Sequence, residues 1–136
     1  MAAEIEISNI PTLGKPLGQY HHMTRVRGGD LLFIAGMVST DASDRIVGID
    51  DFEAQADQTF ANIEAALVSA GGGWGNVVQF TTYFVHSQLI PQFMKYRLAK
   101  FPAMFPDGKY PPNTLLIIDR LVKEDFLFEV QTVAAL

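Results

Sequence analysis

Alternating hydrophobic and polar residues predict strands in both halves of the chain. The run Glu4–Ile10 alternates, and Met23–Gly36 is typical of a hairpin that turns at Gly28-Gly29-Asp30. Three later runs, rich in β-branched and aromatic residues, predict further strands. These runs are Asn76–His86, Thr114–Asp119 and Phe126–Ala134.

Hydrophobic residues at helical spacing predict two helices between these strands. In the first helix the apolar positions form one stripe, made of Phe52, Ala56, Phe60, Ile63 and Leu67. Asp50, with Glu53 three residues later, is typical of a capping box at the start of this helix, and Gly71–Gly73 end it. The second helix spans Ile90–Phe101, with Pro91 in its first turn.

The predicted order of elements is β-β-β-α-β-α-β-β. Strand–helix–strand connections favour parallel pairing, whereas the hairpins at both ends of the order favour antiparallel pairing. We therefore predict an α+β layer sandwich, one domain over residues 1–136, with a six-stranded mixed sheet and both helices on one face. The strand Asn76–His86 carries bulky residues on both faces, so we expect the uncovered face to pack on other copies of the chain.

Composition narrows the class of protein. Of the 136 residues, 49% are hydrophobic and 18% are charged, which is typical of a soluble globular protein. The net charge of -5 and the lack of a basic run disfavour a nucleic acid partner. With 0 cysteines, thiolate chemistry and Cys-based metal sites are excluded. No apolar run has the length of a membrane helix and the first residues are not typical of a secretory signal, so we expect a cytoplasmic protein.

Several segments, in their order and spacing, resemble those of a known family. They are "GQYHH", "GGDLLFIAGM", "QTFANIEAALVSAGG", "NVVQFTTYFV" and "LFEVQTVA". They are similar to the Pro-Tyr-Ser-Gln segment, the Gly-Asp-x-x-Phe-x-Ser-Gly-Gln hairpin, the Gln-x-x-x-Asn helix, the Val-x-Lys-x-Thr strand and the Val-Glu-Ile-Glu-Ala ending of the Rid family (RidA/YjgF, reactive intermediate deaminases). The resemblance runs from about Gly18 to Ala134.

The resemblance implies a fold like that of the small trimeric chorismate mutases, assembled as a homotrimer with clefts between neighbouring subunits. It also implies hydrolysis of reactive enamines and imines to ketoacids and ammonia, with a small-molecule metabolite bound in the intersubunit cleft. It implies no metal and no organic cofactor.

Compared with the family, this chain replaces several site residues. Asn113 occupies the position of the arginine that binds the substrate carboxylate, and Leu115 that of a cysteine. Phe93 replaces an asparagine and His21 replaces a serine. An asparagine can hydrogen-bond to a carboxylate but cannot neutralise it, so we predict a substrate other than a small 2-imino acid. A more apolar cleft suits a larger or aromatic ligand. The family's residues are retained at three positions, which are Tyr20, Gly36 and Glu129.

Glu129 is the candidate catalytic residue. Its strand neighbours on the same face are largely hydrophobic, which predicts partial burial. Desolvation would raise the pKa of this carboxyl group and suit it to proton transfer with the water that attacks C=N. The alternative is a structural glutamate, paired at a trimer interface with Arg25, Arg27 or Arg97.

The other candidate residues have structural alternatives too. Tyr20 would orient a ligand through its hydroxyl or pack on the core, and His21 would supply polar function or be a solvated surface residue. Asn113, after two prolines, would contact a ligand or cap a turn. We predict a hydrolase or deaminase that acts on an enamine or imine, with a non-catalytic small-ligand-binding trimer as the alternative. An RNA-cleaving activity ranks last because of the net charge of -5.

Overall fold

Six strands and two long helices follow one another in the predicted order. In the computed structural model, which describes residues 1–136, the strands are β1 (Glu4–Ser8), β2 (Met23–Arg27), β3 (Leu31–Met37), β4 (Val77–Phe84), β5 (Asn113–Ile117) and β6 (Phe128–Ala135). The helices are α1 (Phe52–Ser69) and α2 (Leu89–Met104), and a 3-10 turn at Trp74–Asn76 leads into β4. Neither helix has the length and apolar character needed to cross a membrane.

Four of the strands form a mixed sheet in the order β3-β6-β4-β5. The connection from β4 through α2 to β5 gives the parallel pair that its pattern predicts, with Phe80 opposite Asn113. β6 pairs antiparallel with both β3 and β4 and therefore lies between them. The predicted hairpin of the last two strands is wrong, because β6 inserts between β3 and β4 and leaves β5 at the edge of the sheet.

The predicted single six-stranded sheet is also wrong, because β1 and β2 form a separate antiparallel pair. The turn after β2 shows why. Gly29 has a φ of 71°, and a Cβ on this residue would lie 2.1 Å from the carbonyl oxygen of Leu136. That carbonyl accepts the N–H groups of Ala3 and Asp30, so the turn is tied to the end of the chain and β2 does not pair with β3.

Helix α1 begins one residue later than the capping-box pattern predicts. The carboxylate of Asp51, rather than that of Asp50, accepts the N–H of Ala54 at 3.1 Å. Asp50 itself has a φ of 59°, in the left-handed region. The helix ends at Ser69, and Gly71 turns the chain with a φ of 85°, as the glycine run predicts.

Both helices pack on one face of the four-stranded sheet, as predicted. Aromatic rings fill this layer: Phe60 of α1 stacks on Tyr96 of α2 with centroids 5.7 Å apart, and Phe52 lies 5.1 Å from Phe128 of β6. On the opposite face, large hydrophobic side chains are left in contact with solvent, and Phe33 is 73% exposed. We call this opposite surface the open face; strand register places on it Leu31, Phe33, Thr81, Tyr83, Leu116, Glu129 and Gln131.

Candidate functional site

A β-bulge brings Gly36 against the carboxylate of Glu129. Ile34 pairs with Thr132 and Met37 with Val130, so two residues of β3 lie opposite one residue of β6. A Cβ on Gly36 would lie 2.2 Å from Oε1 of Glu129, so only a glycine leaves room for the carboxylate here. The structure thus brings together two of the predicted site residues, which we call the carboxylate site.

The carboxylate of Glu129 lies partly buried and without a partner. It accepts no hydrogen bond and forms no ion pair within the chain, in contrast to the exposed Glu4 and Glu6, which both pair with Arg27. Burial raises the pKa of Glu129 above its usual range, because removal from water disfavours the charged form. A carboxyl group in this state can hold and release a proton closer to neutral pH than a solvated glutamate does.

Asn113 and Leu115 lie on the other side of the sheet from Glu129. Their register in β5, opposite Phe80 and Thr82, turns both side chains towards the helix layer. The amide Nδ2 of Asn113 donates to Oγ1 of Thr82 over 3.4 Å, and its buried Oδ1 accepts no hydrogen bond. Asn113 does not cap the turn that precedes β5, so the turn-cap alternative does not hold.

Tyr20 and His21 are both held by backbone groups of loop residues. The N–H of Leu17 donates to the hydroxyl oxygen of Tyr20 at 3.1 Å. The backbone N–H of His21 donates to the carbonyl oxygen of Tyr110, and Nδ1 of its ring lies 2.9 Å from the same oxygen. The contact with a carbonyl favours a proton on Nδ1, which leaves Nε2 as the acceptor. In the whole chain, no three His, Asp or Glu side chains gather where they could hold a metal ion.

Phe93 is part of the core, where it supports an arginine. It is 1% exposed and lies 5.1 Å from the ring of Phe84. The guanidinium carbon of Arg97, one helical turn later, lies 4.5 Å from the centre of the Phe93 ring. The position of Phe93 is therefore that of a support for Arg97 rather than of an open wall of a pocket.

Arg97 is a buried cation. It is only 2% exposed, yet no carboxylate pairs with its charge. Its Nη2 donates to Sδ of Met94 at 3.0 Å, while Nε and Nη1 donate to no protein atom. Burial lowers the pKa of Arg97 to about 10, and the neighbouring Tyr20 opposes this shift. The sequence carried a signal of this feature, since Arg97 interrupts the buried stripe of α2 between Phe93 and Phe101.

Glu129, Asn113 and Arg97 thus lie in two groups on opposite sides of the sheet. The carboxylate site lies on the open face, and Arg97 lies with Asn113 on the helix side. We call Arg97 and its contacts the arginine site, which consists of Gly18, Tyr20, Phe93, Met94 and Arg97. A cleft of about 650 Å³ lies between β1 and the loop after α2, and none of the predicted site residues line it.

Known proteins resemble the chain over nearly its whole length. Residues 12–136 match the family model described as endoribonuclease L-PSP. The RutC family protein slr0709 of Synechocystis is 34% identical over 122 residues, which cover 89% of this chain and 88% of that protein. The RutC family protein PH0854 of Pyrococcus horikoshii is 29% identical over 120 residues, with 88% and 89% covered.

Solved structures show the same fold. The Rid-family protein YyfB of Yersinia pestis superposes with a TM-score of 0.86 at 28% identity, and 97% of this chain and 98% of that chain are covered. RidA of Psychrobacter superposes with a TM-score of 0.68 at 22% identity, with 96% and 99% covered.

The strand order, the helix layer and these matches define an α+β protein of the Rid/YjgF fold. The chain belongs to the Rid/YjgF family, as the resemblance of its segments predicts. YyfB is described as a protein of unknown function, so its likeness extends to fold and family. The replacement of the family's arginine by Asn113 stays a prediction.

Proposed function

We propose that this protein is a hydrolase that releases ammonia from an enamine or imine, with Glu129 as the group that transfers protons. The observation that carries the proposal is the half-buried, unpaired carboxylate of Glu129 under Gly36, in a chain of the Rid/YjgF family. Burial raises the pKa of this carboxyl group and so favours its protonated form, which is the form that acid catalysis requires.

The proposed reaction takes one water and gives one ammonia. In its acid form, Glu129 protonates the imine nitrogen, or the carbon of an enamine to generate the iminium ion. The resulting carboxylate then accepts a proton from the water that adds to the C=N carbon. Collapse of the carbinolamine moves the hydroxyl proton to nitrogen, breaks the C–N bond and leaves a ketone or ketoacid with ammonia. Glu129 ends in the state in which it began.

The proposed site lies between copies of the chain, in a homotrimer. The open face supports this assembly, because Phe33 and Leu31 are 73% and 57% exposed beside the carboxylate site. Hydrophobic surface of this kind is typical of faces that pack on another protein. A second copy seated on the open face would cover Glu129, remove its remaining water and complete a pocket for a small metabolite.

The substrate is expected to differ from a small 2-imino acid bound as in the family. Asn113 has no charge to neutralise a carboxylate at the start of β5, and its side chain faces Thr82 in the helix layer. Leu115 adds an apolar side chain beside it. An enamine or imine with a larger, apolar body suits these residues better.

Ammonia release provides the test. The purified protein is assayed with 2-iminopropionate and with a larger aromatic enamine that lacks a carboxylate, each generated in the assay. We expect turnover of the larger substrate, and a loss of about 10²-fold or more in Glu129→Gln, since general acid–base catalysis contributes that much. Glu53→Gln, which removes an exposed carboxylate of α1, serves as the matched control and is expected to keep full activity.

Three results would contradict parts of this proposal. Full activity of Glu129→Gln removes the proton-transfer role. Efficient turnover of 2-iminopropionate alone overturns the role given to Asn113. Saturable binding of aromatic metabolites without turnover of any substrate favours the alternative, a non-catalytic ligand-binding trimer. RNA cleavage has less support, because the net charge is -5 and Arg27 is neutralised by Glu4 and Glu6.

A further inference from the structure

Arg97 has an environment that no structural role explains. A buried charge is normally paired, since an unpaired one costs free energy that the fold has to offset. Arg97 is 2% exposed, yet its contacts are a thioether sulphur and an aromatic ring, and neither neutralises the charge. Two donor groups, Nε and Nη1, are buried and donate to no protein atom.

Arg97 lies on the side of α2 that packs on β4. Phe93 packs on Phe84 of β4, and Phe101 packs on Phe80 of the same strand. Arg97 lies one turn from each of these helix residues and is buried on the same side of α2. Thr82 is the residue that holds the amide of Asn113. The guanidinium and Asn113 thus face the same layer.

We infer that Arg97 is an anion-binding residue and that it takes the carboxylate group of a small organic ligand in the arginine site. Nε and Nη1 are buried and have no protein partner, so each can donate a hydrogen bond to an oxygen of a bound anion. The bound anion pairs the buried charge. The inference goes beyond the proposed function and does not depend on it, because the substrate expected there carries no carboxylate.

A carboxylate fits this site better than a phosphate does. The arginine site contains one cation, so a singly charged anion leaves it neutral, whereas a phosphate dianion would bring an unpaired negative charge into a buried position. The ring of Tyr20, a neighbour of Arg97, offers apolar contact to the body of an organic acid. Inorganic phosphate is therefore the natural comparison ligand.

The loop between β1 and β2 closes the arginine site. A Cβ on Gly18 would lie 2.8 Å from Nη2 of Arg97, so the backbone of this loop lies directly against the guanidinium. The adjacent Leu17 is 87% exposed, and its N–H is held by the hydroxyl of Tyr20.

Thermal unfolding in the presence of simple anions tests the inference. The melting temperature of the wild type is followed against sodium propionate and sodium benzoate, with sodium phosphate and sodium chloride at equal ionic strength. We expect the carboxylates, and neither phosphate nor chloride, to raise Tm progressively with concentration, because a ligand that binds only the folded state stabilises it. Arg97→Met is expected to lose this response, and without added anion to melt at or above the wild-type Tm, since it removes an unpaired buried charge.

Two further variants separate this role from a structural one. Lys95→Met removes an exposed charge from the same helix and is expected to keep the carboxylate response. Gly18→Ala crowds Nη2 and is expected to weaken the response even if Arg97→Met does not fold. The inference is overturned by a wild type with no carboxylate response, by a response to phosphate alone, or by a response of wild-type size in both Arg97→Met and Gly18→Ala. Anion binding that depends on Arg97, in a protein that releases no ammonia, would keep the inference and remove the proposed function.

Discussion

Gly36→Ala perturbs the carboxylate site by one methyl group. Gly36 does not have a positive φ, so the backbone accepts alanine without strain. The new Cβ would lie 2.2 Å from Oε1 and 2.6 Å from Cδ of Glu129. The carboxylate has to retreat by about 1.2 Å to restore an ordinary contact of 3.4 Å. The variant therefore displaces the proposed proton-transfer group and leaves its chemistry unchanged.

The expected loss is large for activity and small for stability. A catalytic group misplaced by about 1 Å costs on the order of 10²-fold in rate, or about 2.7 kcal/mol of barrier. The atoms that have to move belong to the end of a flexible side chain, so the strain is about that of one unfavourable rotamer, roughly 1 kcal/mol. Alanine also lowers the entropy of the unfolded chain, which offsets part of this strain.

The measurement is kcat/KM for ammonia release, with Tm measured on the same preparations. Gly75→Ala is the matched control, because a Cβ there meets no atom within 4 Å and the residue has no positive φ. If Gly36 acts through Glu129, the double variant Gly36→Ala/Glu129→Gln loses no more activity than Glu129→Gln alone. Wild-type kcat/KM in Gly36→Ala, or additive losses in the double variant, would refute the positioning role.

Two further predictions concern the pH dependence of stability and the assembly. Because burial raises the pKa of Glu129 above its ordinary value of 4.5, its ionised form destabilises the folded state. The Tm of Glu129→Gln should therefore equal that of the wild type below pH 4.5 and exceed it progressively as the pH rises through the folded-state pKa of Glu129. A difference in Tm that shrinks as the pH rises would contradict a raised pKa. Phe33→Glu replaces an aromatic side chain of the open face, which is 73% exposed, with a charged one. This change should reduce the molecular mass measured by light scattering to that of a monomer. Leu98→Glu, on the 63% exposed outer side of α2, should leave the mass unchanged, and an unchanged mass in both variants would contradict packing through the open face.

The long elements could be predicted from the sequence because each has its own periodic pattern. Phe60, Ile63 and Leu67 define the buried side of α1 without reference to the rest of the chain. The partners of the strands could not be predicted in the same way. β6 lies between β3 and β4, which are both distant in sequence, and β2 is held near β4 by the hydroxyl of Thr24, which donates to the carbonyl of Val78 at 2.9 Å. Such choices depend on tertiary contacts that no local pattern carries.

The candidate site was predictable as a set of positions but not as a set of contacts. The partial burial of Glu129 follows from its hydrophobic strand neighbours. Its contact with Gly36 depends on a bulge in β3, which shifts the register between Ile34 and Met37. Asn113 was expected at a pocket mouth or in a turn, and its side chain instead lies in the helix layer, because β5 is an edge strand parallel to β4.

Two groups of opposite charge, Glu129 and Arg97, each lack a partner within the chain, and neither holds the fold together. Buried, unpaired charges lower stability, and groups of this kind concentrate where a ligand or a second subunit supplies the missing partner. In one chain they cannot share a ligand, because the four-stranded sheet separates the open face from the helix layer.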